Sequence, residues 1–257
     1  MRIAAVRYIN ALPLLQGLEN HAQVELSYET PAECYRKLVH GQVDLGLIPV
    51  IGTQTSSIVQ CVKGLGIASS GPCESVYLFA RKPLDQVRTV ATDEASLTSV
   101  ALLKILFRKK YHNNPEFHST SVQNIHELMR KFDAVLVIGD DAILAEKTDY
   151  DHYDLATEWY SLTGLSFVFA VWGANRSLSN EEQLLLHQAY AEANANWPDV
   201  FHKAQAMLAV DQEFLKRYYN KNLRYRLVRS DYEGLLKFFS FAFELGFSDR
   251  IRKEIWM

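Results

Sequence analysis

Cysteine is scarce in this chain: there are three, Cys34, Cys61 and Cys73, an odd set with no C-x-x-C pair. Such a set reads as reduced thiols in a cytoplasmic protein, with a disulfide between two of them as the alternative. Long apolar runs are missing too: nowhere do about 18 uncharged apolar residues follow one another, so no membrane partner is expected. Charge of one sign is also missing. The formal net charge of −3 over 257 residues gives no bulk attraction for nucleic acid. No G-x-G-x-x-G, Walker loop, H-E-x-x-H or G-x-S-x-G occurs, which takes the main support from nucleotide-binding, zinc-protease and lipase-like readings. The histidines are scattered, His112 and His118 being the nearest pair, so neither a metal nor another cofactor is expected. At the start, Arg2, Arg7 and Asn10 interrupt any apolar stretch before it reaches the length of a signal peptide, so no export signal is expected.

What is present is a length that suits two lobes of roughly 100 residues each plus a tail. Short β-branched runs alternate with segments of helical period, the pattern of an α/β protein. Strands are expected at Ile3 to Tyr8, Val24 to Tyr28, Asp44 to Ile48, Ser75 to Phe79, Thr89 to Ala91, Ala134 to Ile138 and Phe167 to Val171. Thr30-Pro31-Ala32-Glu33 supplies a capping hydroxyl, a proline at the first helical position and a glutamate three residues on, with Gly41 where a left-handed C-cap belongs. Similar boxes at Ser179 to Glu182 and Ser230 to Glu233 open helices in a final third with no strand after Asn175. The last helix has an aromatic face, from Leu235 to Phe243, that reads as core. With no Pro/Gly-rich linker, the lobes should be joined by crossovers near Phe79 to Leu84 and Phe169 to Ala174. Lobe one is then 1–82 with 171–257 and lobe two 83–170. A chain that leaves one lobe and returns makes a cleft, where small ligands bind.

Three segments have local chemistry that suits a site. In Thr92-Asp93-Glu94-Ala95-Ser96-Leu97-Thr98-Ser99 a strand gives way to a helix, and hydroxyls gather where unpaired N–H groups converge. That suits a carboxylate, although plain capping by Asp93 or Ser96 explains it equally well. In Tyr8-Ile9-Asn10-Ala11-Leu12-Pro13 an amide stands at the carboxyl end of a strand, where ligands bind in open α/β sheets, or else caps a helix. Gly71-Pro72-Cys73-Glu74-Ser75 is a turn that delivers Ser75 onto a strand, where its hydroxyl could serve a ligand or the backbone. Two other segments read as structural. Lys63-Gly64-Leu65-Gly66 is a tight turn before a strand, and Arg108-Lys109-Lys110 complements the carbonyl end of a helix.

Together the segments resemble the menaquinone-biosynthesis family that contains chorismate dehydratase. The resemblance rests on YINALPL (Tyr8 to Leu14), GQVDLGLIPV (Gly41 to Val50), GIASSGPCESVYLF (Gly66 to Phe79), TDEASLTSVALLKILF (Thr92 to Phe107), AVLVIGDDAI (Ala134 to Ile143) and YDLATEWYSLTGLSFVFAVW (Tyr153 to Trp172). These six ordered blocks run from the start to Trp172, with weaker likeness in the tail.

The resemblance implies a two-lobed fold like the type II periplasmic binding proteins. It also implies dehydration of chorismate to 3-[(1-carboxyvinyl)oxy]benzoate, the first step of the futalosine route to menaquinone. The small-molecule partner would be chorismate, and the oligomeric state is left open. Asn10 and Ser75 match the residues linked to catalysis. Ser96, Thr98 and Ser99 match the carboxylate cradle, and Tyr8, Ile48, Leu97, Gly139 and Asp140 fall in blocks expected to touch substrate. No histidine lies in the matching blocks and their one lysine, Lys104, stands five residues past the cradle, so the base is expected to be a substrate carboxylate, with Glu74 and Asp140 as protein alternatives. The chain departs from the family pattern twice. Gly52 and Thr53 stand where an acidic and an aromatic residue are usual, and Ser166 replaces a proline. Two rivals remain. Dihydroxynaphthoate synthase has a similar fold, but its S-P-C-P-N-D type of opening is replaced here by YINALP. The other is a non-catalytic binding protein or sensor for a small organic acid.

Overall fold

A computed structural model of the chain describes residues 1–120, 124–145 and 150–256. It opens with β1 (Arg2–Val6), a 3-10 turn at Ile9–Ala11 and α1 (Leu12–Leu15), followed by β2 (Glu25–Glu29), α2 (Pro31–Val39), β3 (Leu45–Pro49), α3 (Gly52–Thr55) and β4 (Gln60–Ser69). β1 lies between β2 and β3 and is parallel to both, as helical crossovers require. The ends of α2 are those expected. Thr30 Oγ1 accepts the Glu33 N–H at 3.3 Å. Gly41, at φ +70°, turns the chain so that the Gln42 N–H reaches the Lys37 carbonyl.

The chain then builds a second sheet from β5 (Val76–Ala80), β6 (Thr89–Thr92), β7 (Glu116–Ser119), β8 (Ala134–Ile138) and β9 (Asp151–Asp154), in the order β7-β6-β8-β5-β9. Its helices are α4 (Leu97–Lys109), α5 (Ile125–Lys131), α6 (Gly139–Leu144) and α7 (Leu155–Thr163). β10 (Phe167–Ala174) returns to the first sheet, antiparallel between β3 and β4. All of β5 pairs in the second sheet and all of β10 in the first, so the crossovers are 70–75 and 164–166, earlier than expected at both places. The apolar runs taken for crossovers are full strands of one sheet. The boundaries lie at turn formers instead, Ser70-Gly71-Pro72 and the left-handed Gly164.

The tail comprises α8 (Asn180–Ala195), α9 (Trp197–Met207), α10 (Gln212–Arg217), a π turn at Tyr218–Asn222, β11 (Arg224–Arg226) and α11 (Arg229–Glu244). The Ser179 box is present: its hydroxyl accepts the Glu182 N–H, and Glu182 accepts the Ser179 N–H. The box expected at Ser230 is not. Val228 caps α11, and the buried Asp231 accepts its N–H at 2.8 Å. β11 is a strand after Asn175, too short to show an alternating pattern, formed by pairing with the edge of β4. Lys63 to Gly66 is no turn but part of β4, where Gly66 is pressed so close to the Ala170 carbonyl that a Cβ would stand 2.7 Å from it.

The aromatic face of α11 is core, as expected. Phe238 meets Phe167 of β10 edge-on at 5.0 Å and Trp159 of α7 at 6.2 Å, so one helix ties the two lobes together. Leu236 and Phe243 of the same helix face solvent. The basic end of α4 adds to this tie through Lys109 to Glu244 of α11, while Lys110 pairs with Glu158 of α7 within the second lobe. No helix among the described residues is long and apolar enough to cross a membrane.

Candidate active site

Between the sheets lies a cleft of about 640 Å³ when the space out to its open mouth is counted. Its polar lining consists of Tyr8, Asn10, Ser75, Ser96, Thr98 and Ser99, with Leu97 and Gly139 beside them. Eight of the ten expected site residues therefore meet at one place, although their blocks span more than 130 residues of sequence.

Asn10 reaches the cleft from the 3-10 turn after β1, and it does not cap that turn: Tyr8 holds the capping position and makes no side-chain cap bond. The Asn10 amide oxygen is buried without a hydrogen-bond partner. So is the Ser96 hydroxyl at the start of α4, which leaves the first N–H groups of that helix uncapped by it. Asp93 turns back to the Ala95 N–H, so capping by either residue does not account for this segment. Buried polar atoms are ordinarily satisfied. Two unsatisfied ones on opposite walls of one cleft mark where a polar ligand belongs.

Ser75 is delivered by a strained turn. Asp154 accepts the N–H groups of Cys73 and Glu74 at 2.9 and 2.8 Å and holds Glu74 in the left-handed region at φ 54°. The Ser75 hydroxyl donates weakly to the Cys73 carbonyl at 3.3 Å and still lines the cleft. The wholly buried Tyr218 hydroxyl lies against it without a hydrogen bond of ordinary geometry, and burial raises that phenol well above its usual pKa. Thr98 accepts the Ile51 N–H from the other lobe at 3.3 Å, which leaves its own hydrogen free to point into the cleft. Burial first, and then Asp93, Asp140 and Asp141, raise the Tyr8 pKa to about 12, so this phenol keeps its proton at neutral pH.

Two expected site residues are not part of the cleft wall. Ile48 is buried with its side chain turned away, packed over Gly46 and Gly173, while its neighbours Leu47 and Pro49 line the cleft. Alternation along β3 is the reason. Asp140 stays out of the wall as well, its carboxylate accepting the Ile9 N–H at 3.1 Å. Glu74, the other candidate base, is drawn off by Arg217 at 3.1 Å. No described residue lining the cleft carries a formal charge. At Gly52 a Cβ would stand 2.6 Å from the Tyr35 ring, so that ring fills the place of the usual acidic side chain. Ser166 lies away from the cleft, where its carbonyl accepts the Trp159 Nε1–H at 3.1 Å.

Sequence reasoning missed the apolar walls, Ile67, Phe169 and Leu223, and the tyrosines behind the site. Tyr219 donates to the Ile9 carbonyl at 2.7 Å and Tyr225 to the Asn10 carbonyl at 2.8 Å. Nothing local distinguishes these two among the chain's 13 tyrosines.

Among solved structures, this fold is similar to that of a protein from Archaeoglobus fulgidus, with TM-score 0.77, 18% identity and 95% and 97% of the two chains covered. It is also similar to the periplasmic aliphatic sulphonate binding protein of Escherichia coli, with TM-score 0.67, 14% identity and 100% and 92% covered. The architecture is thus the two-lobed periplasmic-binding-protein-like fold. In sequence, the chain is 31% identical over 268 aligned positions to a chorismate dehydratase of Thermus thermophilus, covering 96% of this chain and 97% of that one. The profile of the menaquinone biosynthesis family matches residues 1–244. With that match spanning both lobes and nearly the whole tail, the chain belongs to the menaquinone biosynthesis family.

Proposed function

We propose that the protein is a chorismate dehydratase that forms 3-[(1-carboxyvinyl)oxy]benzoate and water in the cytoplasm, as the first step of the futalosine route to menaquinone. The observation that carries this reading is the pair of buried, unpartnered polar atoms, Asn10 Oδ1 and Ser96 Oγ, on facing walls of an uncharged cleft in a chain of this family.

One carboxylate of chorismate lies at the start of α4, taking hydrogen bonds from the Ser96 and Thr98 hydroxyls and the free N–H groups of the first turn. The macrodipole of a 13-residue helix favours an anion there without any cationic side chain. The reacting edge of the ring faces Asn10 and Ser75. The proton on the ether-bearing carbon goes to a carboxylate of the substrate itself. The only titratable side chain among the described lining residues is Tyr8, which stays protonated. As that proton leaves, the bond from the adjacent carbon to its hydroxyl breaks. Asn10 and Ser75 hold the departing oxygen, which leaves as water once protonated, and the ring becomes aromatic. Aromatisation drives the reaction. What the protein supplies is the conformation of the enolpyruvyl side chain, which brings carboxylate and proton together.

Purified protein mixed with chorismate, without added metal or nucleotide, tests this by mass spectrometry and ultraviolet absorbance. An aromatic product lighter by one water is the expected result. Chorismate left intact by folded protein would reject the reading, and a tight complex never turned over would favour a binding protein or sensor instead.

A further inference from the structure

The turn that carries Asn10 is pinned from three distant parts of the chain. Its Ile9 N–H is taken by Asp140, in the first turn of α6 on the second lobe. Two of its carbonyls, those of Ile9 and Asn10, are taken by Tyr219 and Tyr225 of the tail. The backbone is thus gripped on both sides of the Ile9–Asn10 peptide, while the Asn10 side-chain oxygen is left free. Tyr219 and Tyr225 are on the same lobe as Asn10; Asp140 is not. Its bond therefore exists only while the lobes are closed.

We infer that Asp140 is a positioning residue: by holding the Ile9 N–H across the cleft, it brings the Asn10 amide into line with the reacting edge as the lobes close. This rests on the reading above, in which Asn10 acts on bound substrate. Asp140 does not line the cleft, so it acts through the backbone of Ile9 and touches no substrate. Burial raises its pKa to about 6, so it is ionised at neutral pH and the bond is charge-assisted. Opening the lobes would return the carboxylate to water, whereas closing them without the Ile9 N–H would leave it buried and poorly satisfied. Closure and alignment of Asn10 are therefore one event. A small misplacement of a group at the reacting edge costs up to about 100-fold in rate.

The test compares wild type with Asp140→Ala, Asp140→Asn and Tyr219→Phe, measuring kcat and KM for chorismate together with hydrogen exchange of the peptide spanning 9–11. Asp140→Ala should lower kcat about tenfold or more with KM changed by less than about threefold, and exchange at 9–11 should quicken. Asp140→Asn keeps an acceptor oxygen and should recover most of both. Tyr219→Phe removes the hydroxyl that holds the Ile9 carbonyl, the other backbone polar group of the same residue. It should repeat the pattern more weakly, and it decides the matter if Asp140→Ala does not fold. Unchanged kcat, unchanged exchange, or no rescue by asparagine would each overturn the inference. If wild type leaves chorismate intact, the proposed function fails separately. Exchange then still decides: faster in Asp140→Ala and normal in Asp140→Asn upholds the grip, and equal rates in all variants reject it.

Discussion

The ring of Tyr8 in the first lobe lies against Gly139 of the second, so close that a Cβ on the glycine would meet three ring atoms at 3.0–3.1 Å. Gly139 also sits at φ +64°, where a side chain is strained. Gly139→Ala should therefore cost stability by about 1–3 kcal/mol and raise KM, because the lobes can no longer meet. Thermal denaturation and steady-state kinetics together check this, and an alanine variant with wild-type Tm and KM would contradict the contact.

Asn10 is expected to separate stability from activity. Its amide oxygen is buried without a partner, so removing it withdraws an unsatisfied group. Asn10→Ala should leave Tm unchanged or slightly higher while turnover falls by about 100-fold or more. A fall in Tm of the size seen for a core substitution would instead make Asn10 a structural residue.

The Asp140 carboxyl should leave a trace in the pH dependence of stability. Its pKa is raised by burial from 3.8 to about 6 in the folded protein, so the folded state binds the proton more tightly than the unfolded chain does. Its contribution is fully present below about pH 3.8 and is lost as pH rises through 6. The Tm of wild type relative to Asp140→Asn should therefore drop between pH 4 and pH 7. A constant difference across that window would place the carboxyl in water.

Thr98 joins the lobes through one hydrogen bond from the Ile51 N–H. Thr98→Val keeps the shape and leaves that buried N–H without its acceptor, at a cost of about 1–3 kcal/mol. KM for the substrate should rise as well, and Thr98→Ser should restore both. If valine and serine behave alike in denaturation and kinetics, the hydroxyl has no part in closure or binding.

Much of the site was legible because strand ends, turns and caps have local signatures. Asn10, Ser75 and the hydroxyls of Ser96 to Ser99 stand where short motifs place polar groups at the ends of strands or the start of a helix. Ile48 was misplaced because choosing a face of β3 requires knowing which side of the sheet is the cleft. Asp140 was misplaced because its partner, Ile9, is 131 residues away. Gly66 reads as part of a turn because glycine signals both turns and close strand packing, and only the neighbouring β10 distinguishes the two.

From its residues alone the chain determined the α/β class, the caps of α2 and α8, the buried aromatic face of α11 and the motifs that carry the cleft hydroxyls. These depend on interactions within a few residues, or on a hydrophobic period that a linear string displays. The tertiary structure alone decided which hydroxyls face one another, where the crossovers lie, and that Glu74 and Asp140 are engaged by Arg217 and Ile9 rather than left free as bases. Those outcomes depend on distances between residues far apart in sequence, set only when the two sheets and the tail pack together.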